Sequence, residues 1–221
     1  SHGALVAGLL LMAVIALRSS IWVLALVLLC CLLGYLYQGP PFRLGYLGLG
    51  EPLCWMAFGP LATASALMVL TPVQPVAAMA TVPWASALAL GSGPAIATTL
   101  VLFCSHFHQV ETDARHGKRS PVVRMGTARA AALVPWFIAG TLALEWVPVL
   151  DGHWPLTALL GGLGLPAASA LIRLLRDHHR DAERIAGSKF LALRFQALNG
   201  VGLSVGLAIG PRFEAAVHQL I

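Results

Sequence analysis

The chain has 221 residues, 58% of them hydrophobic and only 10% charged, with a net charge of +5. Soluble domains carry about 25% charged residues, so this composition excludes an ordinary soluble core. The excess of Lys and Arg is then a question of which loops carry it rather than a sign of nucleic-acid binding. Mean hydropathy is +0.80, and the length suits one membrane domain over residues 1–221. The chain opens at Ser1 and enters an apolar segment at once. No charged n-region with a small-residue cleavage site precedes that segment, so no signal peptide is expected, and a processed or truncated N-terminus is.

A bilayer core of about 30 Å needs roughly 20 apolar residues per helix. Seven segments meet that need: Ala4–Leu17 (a short one), Ile21–Tyr37, Leu53–Leu70, Trp84–Cys104, Ala130–Val147, Trp154–Leu175 and Phe195–Ile209. Between the third and fourth, Thr71-Pro-Val-Gln-Pro75 reads as a turn, because prolines this close break a helix. No segment shows the strict alternation of a barrel strand, so the expectation is an all-α, multi-pass transmembrane bundle. Gly200, Gly202 and Gly206, and Gly161 and Gly162 near Ala158, read as close helix contacts. Cys30, Cys31, Cys54 and Cys104 lie in apolar surroundings without a CxxC and read as buried small hydrophobes.

The basic residues fall in alternate connections. Arg43 lies in the first; Arg115, Lys118, Arg119, Arg124 and Arg129 in the second; Arg173, Arg176, Arg180, Arg184, Lys189 and Arg194 in the third. The other connections carry only Arg18, and Arg212 lies near the C-terminus. The positive-inside rule puts the three basic connections and the N-terminus on the cytosolic side and the C-terminus opposite. The mixed-sign stretch Asp177–Glu183 reads as a solvated interfacial helix with i,i+4 pairs.

Two connections carry the candidate chemistry. The first runs Tyr37-Gln-Gly-Pro-Pro-Phe-Arg43-Leu-Gly-Tyr46-Leu-Gly-Leu-Gly50-Glu51-Pro52, a rigid Gly/Pro loop with Arg43 and Glu51 at the membrane edge. A re-entrant turn with a snorkelling Arg fits it as well as a functional loop does. The second, Phe103–Thr127, is the densest mixture of His, acid and base in the chain. Gln109 and Asp113 are spaced i,i+4 and would stack if the helix continued, with Glu111 between them. Two oxygen ligands plus substrate phosphates are what Mg²⁺ usually takes from a protein, and Arg115, Lys118 and Arg119 would meet the remaining phosphate charge. His106, His108 and His116 raise a zinc alternative, although no Cys joins them and there is no HExxH. A structural loop at the membrane surface is a third reading.

The two loops together resemble those of the UbiA superfamily of membrane prenyltransferases, in its dihydroxynaphthoate branch. The first carries the resemblance in Tyr37, Gly39-Pro40 and Tyr46-x-Gly48-x-Gly50-Glu51. The second carries it in the tail Gly117-Lys118-Arg119-Ser120-Pro121-Val122-Val123-Arg124-Met125-Gly126, while His108-Gln-Val-Glu111 is similar to the phytyl-using members of cyanobacteria and plastids. Gln109 stands where the branch usually has an Asp, and the superfamily's other Asp-rich motif, Asn-Asp-x-x-Asp, is not found in the chain. The resemblance implies a nine-helix bundle, of which seven helices are expected here, without the first two helices and that motif. The chain by itself is expected to be inactive.

The resemblance also implies the chemistry. Phytyl would pass from phytyl diphosphate to 1,4-dihydroxy-2-naphthoate with loss of CO₂ and pyrophosphate, in phylloquinone synthesis. It implies Mg²⁺ on Asp113 and Glu111 with Gln109 in the shell. Arg115, Lys118, Arg119 and Arg124 would bind the diphosphate, and Tyr37, Arg43, Tyr46 and Glu51 would act at the reacting centre. The expected partners are these two substrates and membrane lipid, and no nucleic acid. The expected location is a bacterial inner, thylakoid or plastid membrane, with the basic loops on the cytosolic or stromal side. Longer polyprenyl transfer to the same ring, in menaquinone synthesis, is the alternative within the branch. A transporter without transferase activity is the alternative of another class; it calls for charges inside helices, and Glu145, near a helix end, is the single acid close to that description.

Overall fold

A computed structural model describes residues 2–70 and 82–220. The proline-rich turn expected at Thr71–Pro75 lies outside the described residues. Those described form an all-helical bundle. We label its α-helices α1 (His2–Arg18), α2 (Ile21–Gln38), α3 (Gly50–Leu70), α4 (Trp84–Ser105), α5 (Val110–Arg115), α6 (Pro121–Met125), α7 (Thr127–Leu150), α8 (Leu165–His178) and α9 (Ser188–Leu220). Among the described residues six helical stretches are long and apolar enough to cross a membrane, and Val6–Arg18 is a shorter apolar one. Large apolar side chains stay exposed along them, such as Leu17, Leu70, Trp136 and Leu150. That pattern suits lipid rather than water as the surrounding solvent.

Local chemistry sets the ends. The Ser20 hydroxyl accepts from the Trp22 N–H at 3.3 Å to open α2, and the Gly39 N–H closes it on the Tyr35 carbonyl at 2.6 Å. Ser120 caps α6 by accepting from the Val123 N–H at 3.4 Å, with Pro121 in the first turn, where its missing N–H costs nothing. Gly126, at φ +81°, turns the chain from α6 into α7.

The sixth expected segment is not one α-helix. Leu156–Gly164 winds as a 3₁₀-helix and becomes α-helical only from Leu165. The reason is close packing: a Cβ on Gly202 or Gly206 of α9 would strike the backbone of Leu160 or Thr157. Thr157 Oγ1 also donates to the Gly206 carbonyl at 2.6 Å. Gly161 belongs to the same contact, since a Cβ there would lie 2.7 Å from Glu145 Oε2. Gly200, read with them from sequence, has nothing near its α-carbon. The expected interfacial helix at Asp177–Glu183 also differs. Helix α8 stops at His178, and the charges pair as neighbours or one turn apart, Arg176 with Asp177 at 2.9 Å and Arg184 with Asp181 at 3.1 Å.

Two apolar clusters hold the bundle. One, built on Phe103, Leu171, Leu175 and Phe195, joins α4, α7, α8 and α9; the other, built on Val23, Leu26, Ala64 and Met68, joins α1, α2 and α3. Helices α3 and α4 cross where Gly59 faces Gly91, so closely that a Cβ on Gly91 would lie 2.5 Å from Thr63 Oγ1. This crossing sets the start of α3 beside the end of α4, which is where the two loops meet. Of the four cysteines, Cys104 alone is buried and Cys31 is exposed on α2, so burial is not their common property.

Candidate functional site

The first loop folds against the second through the backbone. Leu44–Leu47 forms a single 3₁₀ turn, and the Arg119 N–H donates to the Tyr46 carbonyl at 2.7 Å. Arg124 Nη1 donates to the Leu47 carbonyl at 3.4 Å. Gly48 is required between them: its φ is +77°, and a Cβ there would lie 2.7 Å from the Arg119 carbonyl oxygen. Tyr37 packs beneath, its ring 3.0 Å and 2.9 Å from where a Cβ on Gly45 or Gly50 would sit. The spacing of glycines in this loop thus records two close approaches, to Tyr37 and to the second loop.

This docking brings Glu51, in the first turn of α3, to the end of α4. His106 sits between two carboxylates, Nε2 3.6 Å from Glu51 Oε1 and Nδ1 3.3 Å from Asp113 Oδ2. Lys118 Nζ lies 3.2 Å from Asp113 Oδ2 and 3.4 Å from His106 Nδ1. Glu51, His106 and Asp113 are each buried to more than nine-tenths. Neither Glu51 oxygen accepts a hydrogen bond, and Asp113 Oδ2 has no aligned donor despite the nearby ammonium. Buried carboxylate oxygens without donors are costly unless a cation satisfies them.

The other residues singled out from sequence divide. Glu111 is exposed and paired to Arg115 at 3.2 Å, with both side chains more than three-quarters in solvent. Gln109 is exposed too, at the end of the 3₁₀ turn Phe107–Gln109, whereas Asp113 is buried. Arg119 is exposed at the loop junction, Arg124 is exposed while its Nη1 reaches across to the Leu47 carbonyl, and Arg43 stands 5.7 Å over the Tyr46 ring. Arg43 takes φ +44°, a left-handed conformation unusual for a residue with a Cβ. The sequence offers His106 only as a possible zinc ligand beside His108 and His116, and no spacing in it marks the place of His106 between Glu51 and Asp113. The three histidines do not converge: His108 faces the opposite side of the turn, and His116 Nδ1 is 2.8 Å from the Thr112 carbonyl. Among the described residues no three His, Cys, Asp or Glu side chains surround a common metal position.

Directly below the loops lies an apolar cavity of about 550 Å³ between α2, α3 and α4. Tyr37, Leu53, Cys54 and Leu102 line its upper end, and Leu33, Ala57 and Phe58 continue it into the bundle. Tyr37 belongs to both regions, packing under Gly50 beside Glu51 and walling the cavity. The arrangement suits an amphipathic molecule with a charged head and a long apolar tail.

The chain belongs to the UbiA prenyltransferase family, whose profile matches residues 2–194. With six helices among the described residues long and apolar enough to cross a membrane, it is an integral membrane protein. It is 42% identical over 193 residues to the chloroplastic 2-carboxy-1,4-naphthoquinone phytyltransferase of Arabidopsis thaliana, covering 86% of this chain and 49% of that protein. It is 37% identical over 203 residues to the 2-carboxy-1,4-naphthoquinone phytyltransferase of Synechocystis, covering 91% of this chain and 63% of that one. The 1,4-dihydroxy-2-naphthoate octaprenyltransferase of Mycobacterium tuberculosis is more distant, at 30% over 174 residues, 74% of this chain and 56% of that one. The chain therefore spans about half to two-thirds of the length of these curated relatives. No solved structure matches it.

Proposed function

We propose that this chain forms part of a prenyltransferase that moves a phytyl group from phytyl diphosphate to the ring of 1,4-dihydroxy-2-naphthoate. The observation that carries this reading is the junction at Tyr37, where the buried cluster of Glu51, His106, Asp113 and Lys118 meets the apolar cavity. A prenyl diphosphate fits that junction with its head at the charges and its tail in the cavity. The two phytyltransferase relatives, at 42% and 37% identity, support the donor and the naphthoquinone-type acceptor.

A diphosphate beside two carboxylates requires a cation between them. Asp113 and Glu51 have the donor-free oxygens that suit Mg²⁺, which commonly takes one or two carboxylates and leaves the rest of its shell to phosphates and water. Bound there, Mg²⁺ supplies positive charge to the diphosphate oxygens. Lys118 places an ammonium where charge grows as the allylic C–O bond breaks and pyrophosphate takes the electron pair. Arg119, Arg124 and Arg115 ring the mouth and draw the anion in. Gln109 and Glu111, both exposed, are left outside this metal position. His106 holds the two carboxylates in register.

The allylic carbon is then attacked by the ring carbon that carries the carboxylate, and that carboxylate leaves as CO₂. The apolar cavity walls keep out water that would otherwise trap the carbocation. The Tyr37 ring lines the cavity's upper end, where an aromatic face would stabilise positive charge on the allylic carbon. Arg43 over Tyr46 offers its planar fork to the acceptor's carboxylate. The basic loops lie on the cytosolic or stromal side by the positive-inside rule.

The test supplies membranes carrying the full-length enzyme of which this chain forms part with labelled 1,4-dihydroxy-2-naphthoate and either phytyl or octaprenyl diphosphate. Phytylated, decarboxylated product is expected, lost on chelation of divalent cations. A clear preference for octaprenyl diphosphate would move the assignment to the menaquinone branch, and solute flux without product would favour a transporter.

A further inference from the structure

The 3₁₀ turn Phe107–Gln109 presents two histidines to opposite sides. His106 faces Glu51 and Asp113, whereas His108 faces a separate polar cavity of about 360 Å³. That cavity lies between α5, the start of α7 and the connection from α8 to α9, and it shares no lining residue with the Glu51–Asp113–Lys118 cluster. We propose that it is a second anion site, one that binds a phosphate group.

Its walls supply donors. Arg180, His179, His108, Thr112 and Thr127 line it. His108 Nδ1 is buried without a hydrogen-bond partner. His179 Nδ1 lies 2.9 Å from Thr127 Oγ1, which ties the α8–α9 connection to the start of α7. The charges of Lys189 and, more weakly and with opposite sign, Asp113 both act on His108.

The pairing of the neighbouring arginines singles out Arg180. Arg176 is held by Asp177 at 2.9 Å, Arg184 by Asp181 at 3.1 Å and Arg115 by Glu111 at 3.2 Å. Among the described residues Arg180 makes no ion pair, although it is the arginine that lines this cavity. Glu111 also borders the cavity, and Arg115 already meets its charge. A guanidinium fork, imidazole N–H groups and two threonine hydroxyls are a donor set matched to phosphate oxygens. The site lies at the polar end of the membrane helices, so the phosphate can come from an anionic phospholipid headgroup or from a free phosphate or pyrophosphate ion.

The experiment uses the whole chain in nanodiscs and has two arms. In phosphatidylcholine discs, binding of ³²P-labelled pyrophosphate is measured in a Lys118→Ala background, which weakens the first site. In discs containing phosphatidylglycerol, lipid retained on the protein is counted by native mass spectrometry. Binding in either arm is expected to weaken about tenfold in Arg180→Gln, the loss of one charge-assisted hydrogen bond. It is expected to weaken also in His108→Gln, to recover in part in Arg180→Lys, and to stay unchanged in Arg176→Gln. Pyrophosphate binding identifies a free anion, and retained phosphatidylglycerol identifies a headgroup. No anion held in either arm, or binding equal in Arg180→Gln and the parent, overturns the proposal. Neither readout depends on prenyl transfer, so it can stand or fall separately from the proposed activity.

Discussion

The Arg119 N–H donates to the Tyr46 carbonyl at 2.7 Å, and this bond joins the two functional loops across a bundle in which they are far apart in sequence. Gly48 makes it possible by leaving the Arg119 carbonyl room. Gly48→Ala must place a Cβ at φ +77° and 2.7 Å from that oxygen. The left-handed conformation alone costs roughly 1–2 kcal/mol. We expect prenyl transfer to fall sharply while the melting temperature in detergent changes little, because the loop rather than the bundle gives way. Full activity in Gly48→Ala would show that the loops need not be docked.

Asp113 and Glu51 are buried on either side of His106, whereas Glu111 faces solvent. Asp113→Asn and Glu51→Gln are each expected to lower kcat by about 10²-fold or more, the usual scale for removing a group that stabilises developing charge. Glu111→Ala breaks only an exposed i,i+4 pair, worth about 0.3–0.5 kcal/mol. Its activity should stay close to the parent's. Steady-state kinetics across a Mg²⁺ titration separates the cases, and a large loss in Glu111→Ala would return that residue to the metal set.

Arg43 is held at φ +44°. Glycine adopts this region freely, so Arg43→Gly should leave the melting temperature the same or raise it slightly. The same substitution removes the guanidinium above Tyr46 and should raise KM for the naphthoate. A drop in stability with unchanged KM would make Arg43 a structural residue only.

Deep in the bundle, Asn199 Nδ2 donates to Glu145 Oε2 at 2.7 Å and to the Gly161 carbonyl at 3.0 Å. Both side chains are buried within apolar helices. Asn199→Ala leaves the carboxyl without its donor, at a cost of about 1–3 kcal/mol. Glu145→Gln keeps an acceptor for the Asn199 amide and should be tolerated. Thermal unfolding in detergent is expected to rank the parent and Glu145→Gln together, with Asn199→Ala well below.

Glu145 also shows why a charge in a transmembrane helix is ambiguous. It lies inside α7 and is 1% exposed, a position that by itself invites a transport reading. Its amide partner, on a helix more than fifty residues away, makes it a joint between α7, α9 and the 3₁₀ segment. The spacing of the sequence contains no sign of that pairing.

What the sequence determined by itself was whatever depends on local composition. Apolar runs of membrane length fixed the helices, because backbone groups in lipid must be satisfied within the segment. The glycines of the first loop and the Gly-Lys-Arg-Ser tail of the second carry the family resemblance in the sequence alone. The tertiary structure decided what depends on direction. It turned Asp113 inward and Glu111 outward within one short helix, and brought Glu51 to His106 from another. It also set His106 against Glu51 and Asp113, and His108 against a separate cavity. The physical reason is that these contacts join residues distant in sequence. Glu111 and Asp113, two apart, take opposite faces of any helix, and which face is buried is decided only when the first loop docks on the second through the Arg119–Tyr46 backbone bond.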